Sequence, residues 1–130
     1  ILSHVNVPED LEGAVRQAVQ AGELTGSEAD EAYGLLSERI AAAAGRGWFP
    51  SDADRILNEA SLIDTDGQIC RPDRVVIADG KVIIIDYKFG EHHRIYERQL
   101  KKYAGIWSRL GYNDVISYLW YVHTDEVVKV

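Results

Sequence analysis

Three side chains in the middle of the chain are spaced for chemistry. They are Asp73, Asp86 and Lys88, in the stretch Cys70-Arg-Pro-Asp73-Arg-Val-Val-Ile-Ala-Asp79-Gly80-Lys-Val-Ile-Ile-Ile-Asp86-Tyr-Lys88. Two β-branched runs flank Asp79-Gly80, a dipeptide suited to a two-residue hairpin turn because both residues accept positive φ. Counting outward pairs Ala78 with Lys81, Ile77 with Val82, Val75 with Ile84, and so Asp73 with Asp86. Lys88, two residues beyond, shares their face. Carboxylates directly opposed across strands repel. At roughly 5 Å and an effective dielectric near 20 the cost is on the order of 3 kcal/mol. A plain hairpin has no use for such a pair, whereas a divalent cation held by two hard oxygens needs it. The structural alternative is a surface network in which Lys88 and Arg71 neutralise the two acids.

The elements around them follow from the same kind of counting. A strand is expected over Arg55 to Ile63, then a type I turn at Asp64-Thr-Asp-Gly67. A three-residue loop of Thr65, Asp66 and Gly67 pairs Asp64 with Gln68 and sets Glu59 across from Asp73. Glu59, Asp73 and Asp86 then lie side by side on one face; a loop one residue shorter or longer turns Glu59 away. Pro72 inside a strand points to a bulge beside the site.

Upstream, Pro8 opens a helix to about Gln20, and Thr25-Gly-Ser-Glu28 is a capping box for a second helix through Ala44. Trp48-Phe49-Pro50 makes a turn that tucks aromatics inward. Downstream, His92 to Leu110 is an amphipathic helix with Tyr96, Leu100, Tyr103 and Trp107 at helical spacing. Val115 to His123 and Val127 to Val130 are strands. The order α-α-β-β-β-α-β-β describes an α+β domain with a mixed central sheet flanked by helices. Residues 1–130 read as one domain, helical over 1–50 and sheet-based over 51–130.

Composition narrows the function classes. The 130 residues suffice for one core, and the net charge of −7 argues against a generic polyanion binder. The charge is uneven, however. Arg16, Arg39, Arg46 and Arg55 are the only bases through Thr65, and the other ten follow it. Any polyanion is therefore expected on the C-terminal half, with Arg94, Arg98, Lys101 and Lys102 on one helix as its footprint. The longest apolar runs, such as Val82 to Ile85, are strand-sized, so no membrane partner is expected. Cys70, alone, excludes an internal disulfide and fits a reducing cytoplasm. There is no G-x-x-x-x-G-K-[ST] loop, hence no nucleotide site in this segment. The absence of methionine and the abrupt, apolar start suggest a fragment of a longer polypeptide. His92-His93 could touch a phosphate or form a solvated loop.

Pro72-Asp73, a hairpin spacer, and then Ile83-Ile-Ile-Asp86-Tyr-Lys88 resemble the signature of the PD-(D/E)xK nucleases in its D-x-K form. Gln99-Leu-Lys-Lys-Tyr103 is similar to the Q-x-x-x-Y motif of the RecB-like branch. Asp86-Tyr-Lys-Phe-Gly90 resembles that branch's D-Y-K-x-G, and Asn58-Glu59 lies where its upstream acidic strand position falls. The resemblance spans about Leu57 to Tyr121. It implies a restriction-endonuclease-like fold, of the kind found at the C-termini of UvrD/Rep-type helicases such as AddA and RecB. It implies Mg²⁺, with Mn²⁺ as a substitute, held by Asp73, Asp86 and the Tyr87 carbonyl. Lys88 would be the catalytic lysine and Glu59 an assistant to the metal or its water. Gln99 and Tyr103 would contact DNA or brace the site.

Family members also carry a histidine ligand in a G-x-x-x-H-like helix upstream. Here His4 is the only early histidine and that glycine is absent, as if the chain begins just after the motif. The function implied is hydrolysis of DNA, most readily single-stranded, in repair or recombination. The partners implied are helicase domains of the same polypeptide and a second subunit. The alternatives are a non-catalytic nuclease-fold module for DNA binding or complex assembly, and a stand-alone endonuclease.

Overall fold

A computed structural model describes residues 1–63 and 66–130. The chain divides into two compact units, Ile1–Ser51 and Asp52–Val130. In the first, short 3-10 turns at Leu2–His4 and Pro8–Asp10 lead into helix α1, Leu11–Gln20, which is followed by α2, Gly26–Gly45. The expected capping box is formed. Thr25 Oγ1 accepts the Glu28 amide at 3.2 Å, and Glu28 Oε1 accepts the Thr25 amide at 3.0 Å. Leu11, Ala14, Val15 and Ala18 of α1 and Ala29, Leu36, Ile40 and Ala43 of α2 are buried, small residues letting the two helices pack closely.

The second unit is built on a five-stranded mixed sheet in the order β1-β4-β5-β6-β7. Its strands are β1 Arg55–Asn58, β4 Arg74–Ala78, β5 Lys81–Lys88, β6 Asp114–Tyr121 and β7 Glu126–Lys129. All neighbours are antiparallel except β5 and β6, which run parallel and are joined by helix α3, Arg94–Arg109. A parallel pair needs such a crossover. The strands β2, Leu62–Ile63, and β3, Ile69–Cys70, form a separate two-stranded ribbon. Val75, Ile77, Val82, Ile84 and Leu119 on one face of the sheet pack with Leu100, Ile106 and Trp107 of α3. Val82 and Ile84 are fully buried, each worth roughly 1.5–3 kcal/mol. Among the described residues no helix is long and apolar enough to cross a membrane.

The expected order needs one correction. The strand expected over Arg55 to Ile63 is interrupted into β1 and β2, and its partner into β3 and β4. The order is therefore two helices, five strands, a helix and two strands. Glu59 is left-handed, with φ of 54°, which no strand accommodates. Pro72, opposite the break, has no amide for a ladder. The register nevertheless runs through it. Asn58 pairs with Arg74 before the break, and Leu62 with Cys70 after it, the same count as a three-residue loop at 65–67. The type I turn expected at Asp64-Thr-Asp-Gly67 includes Asp64 and Thr65, which lie outside the described residues.

The second hairpin is as read. Asp79 and Gly80 have φ of 52° and 77°, and Ala78 pairs with Lys81. A Cβ on Gly80 would meet nothing within 4 Å, so the cost of Gly80→Ala is backbone strain alone. That substitution should destabilise the protein by about 1 kcal/mol in urea unfolding, with an unchanged slope.

Candidate active site

The β4–β5 ladder ends at Arg74 and Ile85, and just beyond it the side chains continue what the backbone has stopped doing. The Asp73 amide donates to Asp86 Oδ1 at 3.3 Å, and the Tyr87 amide donates to Asp73 Oδ2 at 2.8 Å. Each aspartate therefore binds the main chain of the opposite strand, which fixes both carboxylates beside one another on the face that carries Val75 and Ile84. The same register brings in Lys88. Its Nζ lies 2.8 Å from Asp86 Oδ2, with both side chains largely buried. The Tyr87 carbonyl leaves the strand on the same edge as its amide, toward Asp73. The Tyr87 side chain points to the other face, where it meets Trp120 edge-on with ring centroids 5.7 Å apart.

Electrostatics follow from this crowding. Burial first, and then the charge of Asp86, push the Asp73 carboxyl up to about 7. For Lys88 burial works to lower the pKa, but the hydrogen bond and charge of Asp86, with Asp73 behind it, outweigh burial and raise it. Lys88 is thus an ammonium here, suited to act as a fixed cation rather than a resting base. Its Nζ sits 4.2 Å from the centre of the Tyr96 ring, a cation–π contact. Tyr96 is the residue that sequence reasoning missed. Placed among the apolar positions of the helix, it also lies three residues before Gln99, which was the available signal.

The other expected site residues are distributed around this centre. Glu59 gives its amide to the Asp73 carbonyl at 3.1 Å, so its backbone is in the expected register. Its side chain turns to Arg71, with Arg71 Nη2 3.1 Å from Oε2 in an exposed ion pair, rather than to Asp86. Gln99 Nε2 donates to Tyr103 Oη at 3.0 Å, and the buried Tyr103 hydroxyl also meets the Arg71 backbone and feels Asp86. This pair ties α3 to the segment just before Asp73, which is a bracing role. Cys70 is buried, and burial ahead of the Asp86 charge pushes its thiol up to about 11, so it is no nucleophile at neutral pH. Arg94, Arg98, Lys101 and Lys102 are exposed on α3. His92 stacks on Tyr121 at 3.8 Å and pairs with Glu126 at 2.8 Å, while His4 belongs to the first unit.

No protein-family model matches the chain, and no curated protein matches it. What the site can do is set by its own residues.

Those residues suit a hard divalent cation in part. Asp73 and Asp86 present two oxygen ligands whose mutual repulsion a cation would relieve, and one lone pair on each bonded oxygen is already committed to an amide. Among the described residues no group of three His, Cys, Asp or Glu side chains gathers there, so further ligands must come from the Tyr87 carbonyl, water or substrate.

Proposed function

We propose that this chain carries a metal-dependent nuclease of the PD-(D/E)xK type, in its RecB-like form, with a restriction-endonuclease-like fold. The observation that carries the reading is the convergence of Asp73, Asp86 and Lys88 at the open end of one hairpin. Asp73 and Asp86, with the Tyr87 carbonyl, hold Mg²⁺ or Mn²⁺. When bound, the ion neutralises phosphoryl charge and makes a water acidic enough to attack at neutral pH. Lys88, positioned by Asp86 and Tyr96, places its ammonium against the charge that builds on the phosphorus oxygens. Gln99 and Tyr103 keep α3 seated behind the acids. Glu59 serves the outer rim of the site, and Arg94, Arg98 and Lys102 attract the strand. The substrate is DNA, and the setting is a cytoplasmic helicase–nuclease acting in repair or recombination, with the motor and a second subunit as partners.

A second reading is a nuclease-fold module that binds DNA without cutting it. The ion pair of Lys88 with Asp86, and the lack of a third clustered acid among the described residues, favour it. The two are separated by incubating the protein with labelled single-stranded DNA and Mg²⁺ or Mn²⁺. The nuclease reading expects cleavage that EDTA stops and that Asp73→Ala and Asp86→Ala each abolish. DNA binding with no cleavage under either metal establishes the module.

A further inference from the structure

Ile95, Arg98, Gln99 and Lys102 fall at i, i+3, i+4 and i+7 along α3, forming one stripe along the helix. With Tyr96 they line an open surface depression of about 480 Å³ that is otherwise unassigned. Its makeup is unusual for a solvated helix face. Ile95 is 64% exposed, which costs apolar surface for no packing gain. Beside it are an aromatic ring and two cations. Five bases and one acid lie on α3, a local excess of +4 on a chain whose net charge is −7.

Apolar surface, an aromatic edge and paired cations within one small depression match a nucleotide with an unstacked base, since the base seeks the apolar wall and the phosphate the cations. A base held in a duplex cannot offer its flat face to such a wall. Tyr96, which lines this depression, also has Lys88 Nζ 4.2 Å from its ring centre.

We propose that this groove on α3 is a subsite for one unpaired nucleotide flanking the phosphate at Lys88. The base lies against Ile95 and Tyr96, and its phosphate between Arg98 and Lys102. The proposal rests on the nuclease reading for the word flanking, but the subsite itself requires no catalysis.

The test is binding in EDTA, where no metal-dependent cutting occurs, by fluorescence anisotropy with three labelled probes of equal length. They are oligothymidylate, the same strand built of abasic sites, and a duplex. Oligothymidylate should bind about tenfold more tightly than the abasic strand, the scale of one base stacked on a side chain. It should also bind more tightly than the duplex at equal salt. Ile95→Asp, a change at an exposed position, should remove most of the preference over the abasic strand. Arg98→Ala with Lys102→Ala should weaken both single strands together and flatten their salt dependence. Tyr96→Phe should retain the preference, and Tyr96→Leu should reduce it. Equal affinity for the oligothymidylate and abasic strands, or tighter binding of the duplex, overturns the subsite. Failure of the nuclease reading shows separately, as base-dependent binding in a protein that never cuts.

Discussion

Lys88→Ala should lower Mg²⁺-dependent cleavage of single-stranded DNA by roughly 100- to 1000-fold, the scale of losing one fixed charge-stabilising donor in a site of this kind. DNA affinity should stay within about twofold, because the bases that draw in a polyanion are on α3 and exposed. The reason for so large an effect is where Lys88 stands. Its ammonium is held by Asp86 Oδ2 at 2.8 Å and the Tyr96 ring at 4.2 Å, so it is already placed when a substrate arrives. Lys88→Arg should recover little, since a planar fork does not fit a seat shaped for a compact ammonium. Single-turnover cleavage beside equilibrium binding reads both quantities. Full activity in Lys88→Ala would leave the lysine as nothing more than a counter-charge to Asp86.

Asp73→Asn should make the metal-free protein more stable above neutral pH, by on the order of 2 kcal/mol once solvent screening of a partly exposed carboxyl is allowed for. That corresponds to a rise in melting temperature of roughly 8–16 °C for a unit of this size. The sign comes from linkage. The folded carboxyl is pushed up to about 7, against 3.8 for the ordinary group. Between those two values the folded form keeps a proton that the unfolded chain has released. Stability of the wild-type protein therefore falls as pH rises from about 4 to about 7, and then levels off. In the variant a carboxamide oxygen still accepts the Tyr87 amide, without the charge, so this decline should vanish. Mg²⁺ should stabilise the wild-type protein at pH 8 and the variant far less. Asp86 is the poorer choice for this experiment, because neutralising it also strands Lys88. Thermal melts across pH with and without metal are sufficient; a flat wild-type profile would show that the two acids do not burden each other.

How far the site could be read from residue types depended on where backbone geometry is written in them. Asp79-Gly80 announces its turn, and simple counting carries the register through to Asp73 and Asp86 because no residue between them disturbs the pleat. The capping box at Thr25 was equally visible. Glu59 was not, because nothing in a glutamate foretells a φ of 54°. Its register could be counted, but the direction of its side chain is set by Arg71 and by the break opposite Pro72. The hold of Tyr96 on Lys88 was hidden for a different reason. It joins a strand end to the first turn of the crossover helix, and only the packing of α3 on the sheet determines which ring reaches that ammonium. The resemblance to a nuclease signature spoke to residue identities, not to these supports.

The hairpin has its turn at one end and its acids at the other. A hairpin zips from the turn outward, since nearby residues lose the least chain entropy on meeting. Asp73 and Asp86 lie just beyond the β4–β5 ladder at the end away from its turn, so by this argument they should engage after the residues nearer it. Their oxygens come together only when β4 and β5 have closed along their length, and Lys88 reaches its seat only when α3 has docked. A nascent or partly opened chain holds the same residues but no assembled Asp73–Asp86–Lys88 cluster. On the nuclease reading proposed above, the fold would work as an interlock, with the cluster absent until the protein around it is finished.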